Sequence, residues 1–151
     1  MFTRRKILVG ATALTAVSVI PSYANTGTNH EVRMLNKGVK GVMVYEPDFV
    51  SALPGDTVTF IPADKSHNAE SINGMLPEGA EPFKGKLNEK IAITLQSEGV
   101  YGVKCAPHYG MGMVMLISVG SPTNIDQARA VKHPPKAKKL FEELLGAVPA
   151  T

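Results

Sequence analysis

Cys105 is followed by His108, Met111 and Met113 within eight residues, in the stretch "VKCAPHYGMGMVM" that begins at Val103. It is the only cysteine of the chain. A thiolate, an imidazole and a thioether converging from one loop make a soft donor set, which favours copper over zinc. Such a site needs a second imidazole, giving two histidines and one cysteine near a trigonal plane with a weak axial methionine. Three other histidines exist. His30 ends the polar segment "NTGTNH", expected to be mobile, and His133 precedes Pro134 between two expected helices, so both are expected to face solvent. His67, in "DKSHNAE", follows the strand-like run "TVTFIP". A strand end can hold a ligand rigidly, and His67 is the expected second imidazole. The plainer alternative is a buried Cys105 acting as a small hydrophobe.

The elements that must position these residues are mostly strands. "EVRML", "VMVYEP", "FVSA", "TVTFIP", "KIAITL", "VYGVKC" and "MVMLISVG" are β-type runs separated by turn residues such as the Pro54–Gly55 pair. Their number and spacing predict an antiparallel sandwich or Greek-key barrel. Tyr101, Val103 and Cys105 share one parity, which turns Cys105 inward at a strand end. Residues 62–90 read as loop, with a short turn of helix near Pro77. From residue 121 the period changes. "SPTNIDQARAVK" opens with capping-type residues, and Leu140, Phe141, Leu144 and Leu145 recur at helical spacing before Gly146. Two short helices in a tail, residues 121–148, are expected to pack on the sandwich.

The first 24 residues read as a signal peptide. Arg4, Arg5 and Lys6 precede an apolar run from Ile7 to Ile20, and Ser22 and Ala24 supply the small residues of a cleavage site after Ala24. That run is about 14 residues long, short of the ~20 a spanning helix needs. Sec and twin-arginine export are both open. Residues 25–151 are then expected to form one domain outside the cytoplasm, with no membrane attachment after cleavage. Without the leader's three basic residues, the 16 Lys and Arg fall to 13, matching the 13 Asp and Glu. The pI of about 9.0 therefore belongs mainly to the leader, and no nucleic-acid partner is expected.

The order His67, then Cys105-x2-His108-x4-Met113, closing a β-sandwich, resembles the small blue copper proteins, the cupredoxins. The resemblance also rests on "EVRMLNKG", "VYEPDFV", "PGDTVTFIPADKSHNAESI", "LPEGAEPFKGKLNE" and the two C-terminal helices, and runs from about Glu31 to Gly146. It implies an all-β Greek-key sandwich holding one copper ion that cycles between Cu(II) and Cu(I), in a periplasmic one-electron carrier rather than an enzyme. The ligands it implies are His67, Cys105, His108 and Met113. Met111 would give the shorter loop spacing of some relatives, and Met113→Ala against Met111→Ala separates the two.

The resemblance also implies that Asn68 ties the ligand loops together, with Pro107 stiffening the turn between Cys105 and His108. It places Met43, Pro107 and Met111 in an apolar patch around His108, ringed by Lys37, Lys65, Lys84 and Lys104. That face would dock redox partners, with a copper nitrite reductase as acceptor and an upstream donor, on a monomer. Arg33 stands where histidine is expected, and its charge could tune the centre if it lies near the loop. Two other classes compete. Cys105 could be a nucleophile with His108 or His67 as base, but no oxyanion site or orienting carboxylate is evident. A copper delivery or storage protein would lean on more Met or Cys ligands than this single closed set.

Overall fold

The computed structural model describes residues 26–150; the expected leader lies outside the described residues. Eight strands form two four-stranded sheets. They are β1 (Asn29–Gly38), β2 (Gly41–Glu46), β3 (Phe49–Ala52), β4 (Thr57–Pro62), β5 (Glu70–Ser71), β6 (Ile91–Thr94), β7 (Gly99–Lys104) and β8 (Val114–Val119). One sheet runs β2-β1-β4-β6 and the other β3-β8-β7-β5. All the runs expected to be strands are strands, and the short β5 inside the expected loop is an addition. No helix forms near Pro77, where turns and bends carry the chain instead. The expectation of an antiparallel sandwich also needs correction: β1 pairs β4, and β3 pairs β8, in parallel.

Strand parity explains the layering. Tyr101, Val103, Met115, Ile117 and Val119 point between the sheets and join Val32, Met34, Val58 and Phe60 in the main core. The alternate residues Val100, Val114 and Leu116 point the other way and are covered by the tail. Every residue of β8 is thus buried, because a sheet covers one face and helices the other. Gly102 belongs to that second face. A Cβ there would sit 2.6 Å from Met75 Sδ, so only glycine lets Met75 pack against β7.

Helix α1 spans Ile125–Ala130 and α2 Pro135–Gly146. Ala137, Phe141, Leu144 and Leu145 form the buried face of α2, at the i, i+4, i+3 spacing that makes one stripe. Burying a side chain the size of Phe141 contributes about 1.5–3 kcal/mol. Asn124 does not cap α1 with its side chain. Its amide instead accepts from Val100 N–H at 2.7 Å and donates to Val100 C=O at 2.9 Å, fixing the tail to β7.

Two expectations about histidines are overturned. His30 is part of β1, held by parallel pairing with β4, and its Nε2 lies 2.9 Å from Asp56 Oδ2. His133 is half-buried between Tyr109 and Phe141, because the tail folds back over the loop that follows β7.

Candidate metal centre

Two loops at one end of the sandwich converge. Cys105 directly follows β7 and has no exposed surface. A 3-10 segment, Ala106–Met111, carries His108, with Pro107 in its first turn. Its backbone closes on itself: His108 N–H donates to Cys105 C=O at 3.2 Å, Met113 N–H to His108 C=O at 3.1 Å, and Cys105 N–H to Met113 C=O at 3.0 Å. Gly112, at φ 89°, supplies the left-handed turn that starts β8.

His67 comes from the loop after β4. Ser66, at φ 71°, swings the chain inward, and its N–H donates to Asn88 Oδ1 at 2.6 Å. Asn88 N–H in turn donates to His67 C=O at 2.9 Å. Left-handed backbone at a serine costs of order 1–3 kcal/mol and persists where the surroundings over-determine it. Here Asn88 does so, and His67 is fully buried.

The donor atoms face one another. His67 Nδ1 is 3.2 Å from His108 Nδ1 and 3.7 Å from Cys105 Sγ, and His108 Nδ1 is 3.5 Å from Sγ. A point equidistant from all three lies about 2.0 Å from each, close to metal–imidazole and slightly under metal–thiolate bond lengths. His67 Nε2 lies 2.8 Å from Asn36 Oδ1, so the ring's proton is on Nε2 and its Nδ1 lone pair is free. Two imidazole nitrogens 3.2 Å apart beside a thiol are well explained by a cation between them, and two nitrogens with soft sulfur fit copper. Met113 is fully buried in the same core cluster as Cys105, while Met111 is 45% exposed.

Burial pushes the Cys105 thiol above its ordinary range, opposed by the backbone N–H groups of Asn68 and His108 and reinforced by Glu70. Burial also lowers His67, and the nearby His108 lowers it further, with Asp64 opposing. Both shifts disfavour charge in the pocket unless a cation supplies the balance. They also count against a nucleophile, since an inaccessible, protonated thiol meets no substrate.

Asn68 joins the loops. Its Oδ1 accepts from Ala106 N–H at 2.8 Å, and its Nδ2 donates to Glu70 Oε2 and Gly85 C=O, each at 3.1 Å. The Tyr45 hydroxyl donates to Asn68 C=O at 2.7 Å. His108 is half-buried, Pro107 and Met111 are exposed, and Met43, which lines one cleft with Met111, is half-buried. Lys37, Lys65 and Lys84 are exposed, whereas Lys104 is engaged: its Nζ lies 3.4 Å from Glu70 Oε1 and 5.0 Å from the Tyr109 ring centroid. Arg33 is on the outer face of its sheet, opposite Glu46, while its neighbours Val32 and Met34 point to the core.

Asn36 was not legible as a site residue. It lies in β1, opposite Met43 in the register with β2, at a break in the ladder where Met43 takes φ 52°. Tyr109 and His133 were missed too, since their pairing depends on how the tail docks.

The comparisons with known proteins agree with this geometry. Residues 32–120 match the family described as copper binding proteins, plastocyanin/azurin family. The chain is 50% identical over 143 residues to a pseudoazurin of Paracoccus pantotrophus, covering 94% of this chain and 96% of that one. The crystal structure of native pseudoazurin from Hyphomicrobium denitrificans superposes with a TM-score of 0.78 at 46% identity, covering 82% of this chain and all of that one. That of pseudoazurin from Methylobacterium extorquens AM1 gives 0.76 at 43% identity, covering 78% and 97%. With a converged imidazole–thiolate pocket at the end of its sandwich, the chain belongs to the plastocyanin/azurin family of copper-binding proteins, among the pseudoazurins.

Proposed function

We propose that residues 25–151 form an exported, periplasmic one-electron carrier, monomeric, in which His67 Nδ1, Cys105 Sγ, His108 Nδ1 and Met113 would hold a single copper. The observation that carries this is the triangle of donor atoms, with edges of 3.2, 3.5 and 3.7 Å, in a buried pocket. When bound, copper supplies reversible Cu(II)/Cu(I) one-electron chemistry. The chain's contribution is to keep the donors still. His67 is fixed by Asn36 and Asn88, Cys105 by its backbone bond to Met113, and the two loops to each other by Asn68.

His108 is the ligand nearest the surface, and the apolar residues Met43, Pro107 and Met111 beside it suit close approach of a partner. Exposed Lys37, Lys65 and Lys84 would steer that partner by an acidic patch. A copper nitrite reductase is the proposed acceptor. Such encounters are small and short-lived.

The test is to express residues 25–151, add one equivalent of Cu(II) and record the visible spectrum beside a Cys105→Ser variant. An intense colour that fades on reduction, returns on oxidation and is missing from the variant supports the reading. A colourless protein overturns it.

A further inference from the structure

Outside the donor set, one half-buried histidine remains unexplained. His133 Nε2 is the one buried side-chain polar atom without a hydrogen-bond partner among the described residues. An orphan of this kind costs stability, and burial lowers the basicity of the ring. A leucine would fill similar space without the cost. What histidine provides instead is at its other nitrogen, since Nδ1 lies 2.6 Å from the Tyr109 hydroxyl.

Tyr109 follows His108 in the chain, and its carbonyl accepts the Gly112 N–H at 3.0 Å, closing the turn that leads to Met113. Three contacts hold its ring: the hydroxyl bond to His133, an edge-on approach to the His133 ring at 82°, and the Lys104 ammonium 5.0 Å from its centroid. His133 is itself set against Phe141 of α2, with ring centroids 4.5 Å apart. The first turn of α2 also presses on the loop, since a Cβ at Gly112 would stand 3.2 Å from Lys136 Cβ. The tail therefore supports the ligand loop at both its middle and its end.

We propose that His133 is a positioning residue for the ligand loop: through the Tyr109 hydroxyl it braces the turn carrying His108 and Met113 against α2. Its consequence for the metal, though not the brace itself, rests on the copper reading above. The brace makes the helical tail part of the site's support as well as a cover for the sandwich.

Amide hydrogen exchange on metal-free and copper-loaded protein tests this, in His133→Leu, His133→Gln, Tyr109→Phe and the His133→Leu/Tyr109→Phe double variant. The Gly112 and Met113 amides should exchange about tenfold faster in His133→Leu and in Tyr109→Phe, the ratio one hydrogen bond of ordinary net strength supports. The double variant should add little, because both changes remove one interaction. Glutamine, which can still meet the hydroxyl, should restore most of the protection. In copper-loaded protein the visible spectrum and reduction potential should shift in the same two single variants, while the melting temperature of His133→Leu holds or rises.

Unchanged loop exchange in Tyr109→Phe, which loses only a hydroxyl, overturns the brace even if His133→Leu folds poorly. So does faster exchange spread evenly over core strands and loop, which marks general destabilisation. Faster loop exchange in the two single variants, alongside a wild-type chain that never colours with copper, would uphold the brace and remove the copper reading.

Discussion

His67 Nε2 lies 2.8 Å from Oδ1 of Asn36, a residue 31 positions earlier on a strand of the opposite sheet from Cys105. Asn36 is itself held by its backbone, whose N–H donates to Asp64 Oδ2 at 2.7 Å. The acceptor sets the tautomer and the ring plane of His67 at once, leaving Nδ1 aimed at Sγ and His108. Asn36→Leu keeps the strand but removes that acceptor. Copper affinity should fall about 10- to 100-fold, as for other outer partners of metal-binding histidines. Competition with a calibrated chelator reads this, and an affinity within twofold of wild type would show that packing alone orients His67.

The two methionines of the loop differ in environment, so their removal should differ in kind. Met113 is fully buried, and truncation to alanine should cost about 2–5 kcal/mol of stability. It should also move the reduction potential and the visible spectrum, as loss of an axial thioether does. Met111 is 45% exposed, and Met111→Ala should leave stability within about 0.5 kcal/mol and the centre unaltered. Denaturant melts and voltammetry on both variants suffice. The reverse pattern in the potential would transfer the axial role to Met111.

How far the molecule could be read from its sequence depended on the range of the interactions. Strand runs such as "TVTFIP" and "VYGVKC" declare themselves by local parity. Cys105, His108 and Met113 lie within nine residues of one another, so the sequence spacing that suggests a shared site is a local matter, and the approach of Cys105 Sγ to His108 Nδ1 bears it out for those two. The tail helices follow from the spacing of Phe141, Leu144 and Leu145. Long-range pairings leave no such trace. The parallel ladder of β1 with β4 drew His30 out of the expected tail, Asn36 reached His67 across 31 residues, and Tyr109 met His133 across 24. Each of these is a polar contact between segments whose own patterns are complete without it. Arg33 follows the local rule: its neighbours Val32 and Met34 are both core residues, which turns it outward.

Asp56 gathers three donors at the start of β4: Leu53 N–H at 3.0 Å, Thr28 N–H at 2.8 Å and His30 Nε2 at 2.9 Å. The Leu53 bond, then those of His30 and Thr28, hold its carboxyl below the ordinary 3.8. A carboxylate whose folded pKa is depressed contributes stability above its unfolded pKa and loses it as pH falls through the folded value. The stabilisation should therefore be complete at neutral pH and decline only below about pH 4. Asp56→Asn should lower the melting temperature at pH 7, and the gap to wild type should narrow steadily toward pH 2. A gap independent of pH would mean that the amide fails sterically rather than for want of charge.

The four lysines proposed to ring His108 should separate into two groups. Lys37, Lys65 and Lys84 are exposed, on a chain whose charge over residues 25–151 is balanced, so any steering must come from such a local patch. Lys104 is half-buried, shared between Glu70 and the Tyr109 ring, and offers less free charge to a partner. Electron-transfer rates to a nitrite reductase should fall steeply with salt, because the screening length shrinks from about 10 Å at 0.1 M to about 3 Å at 1 M. Lys84→Ala should flatten that dependence and leave the spectrum alone. Lys104→Ala should flatten it less and instead disturb the centre, since Glu70 loses its counter-charge while still accepting from Asn68, which spans the two ligand loops. Stopped-flow rates over a salt series, with the potential of each variant, discriminate the two roles. Salt-independent rates would remove the lysine face as a docking surface, while equal salt slopes for the two variants would return Lys104 to it.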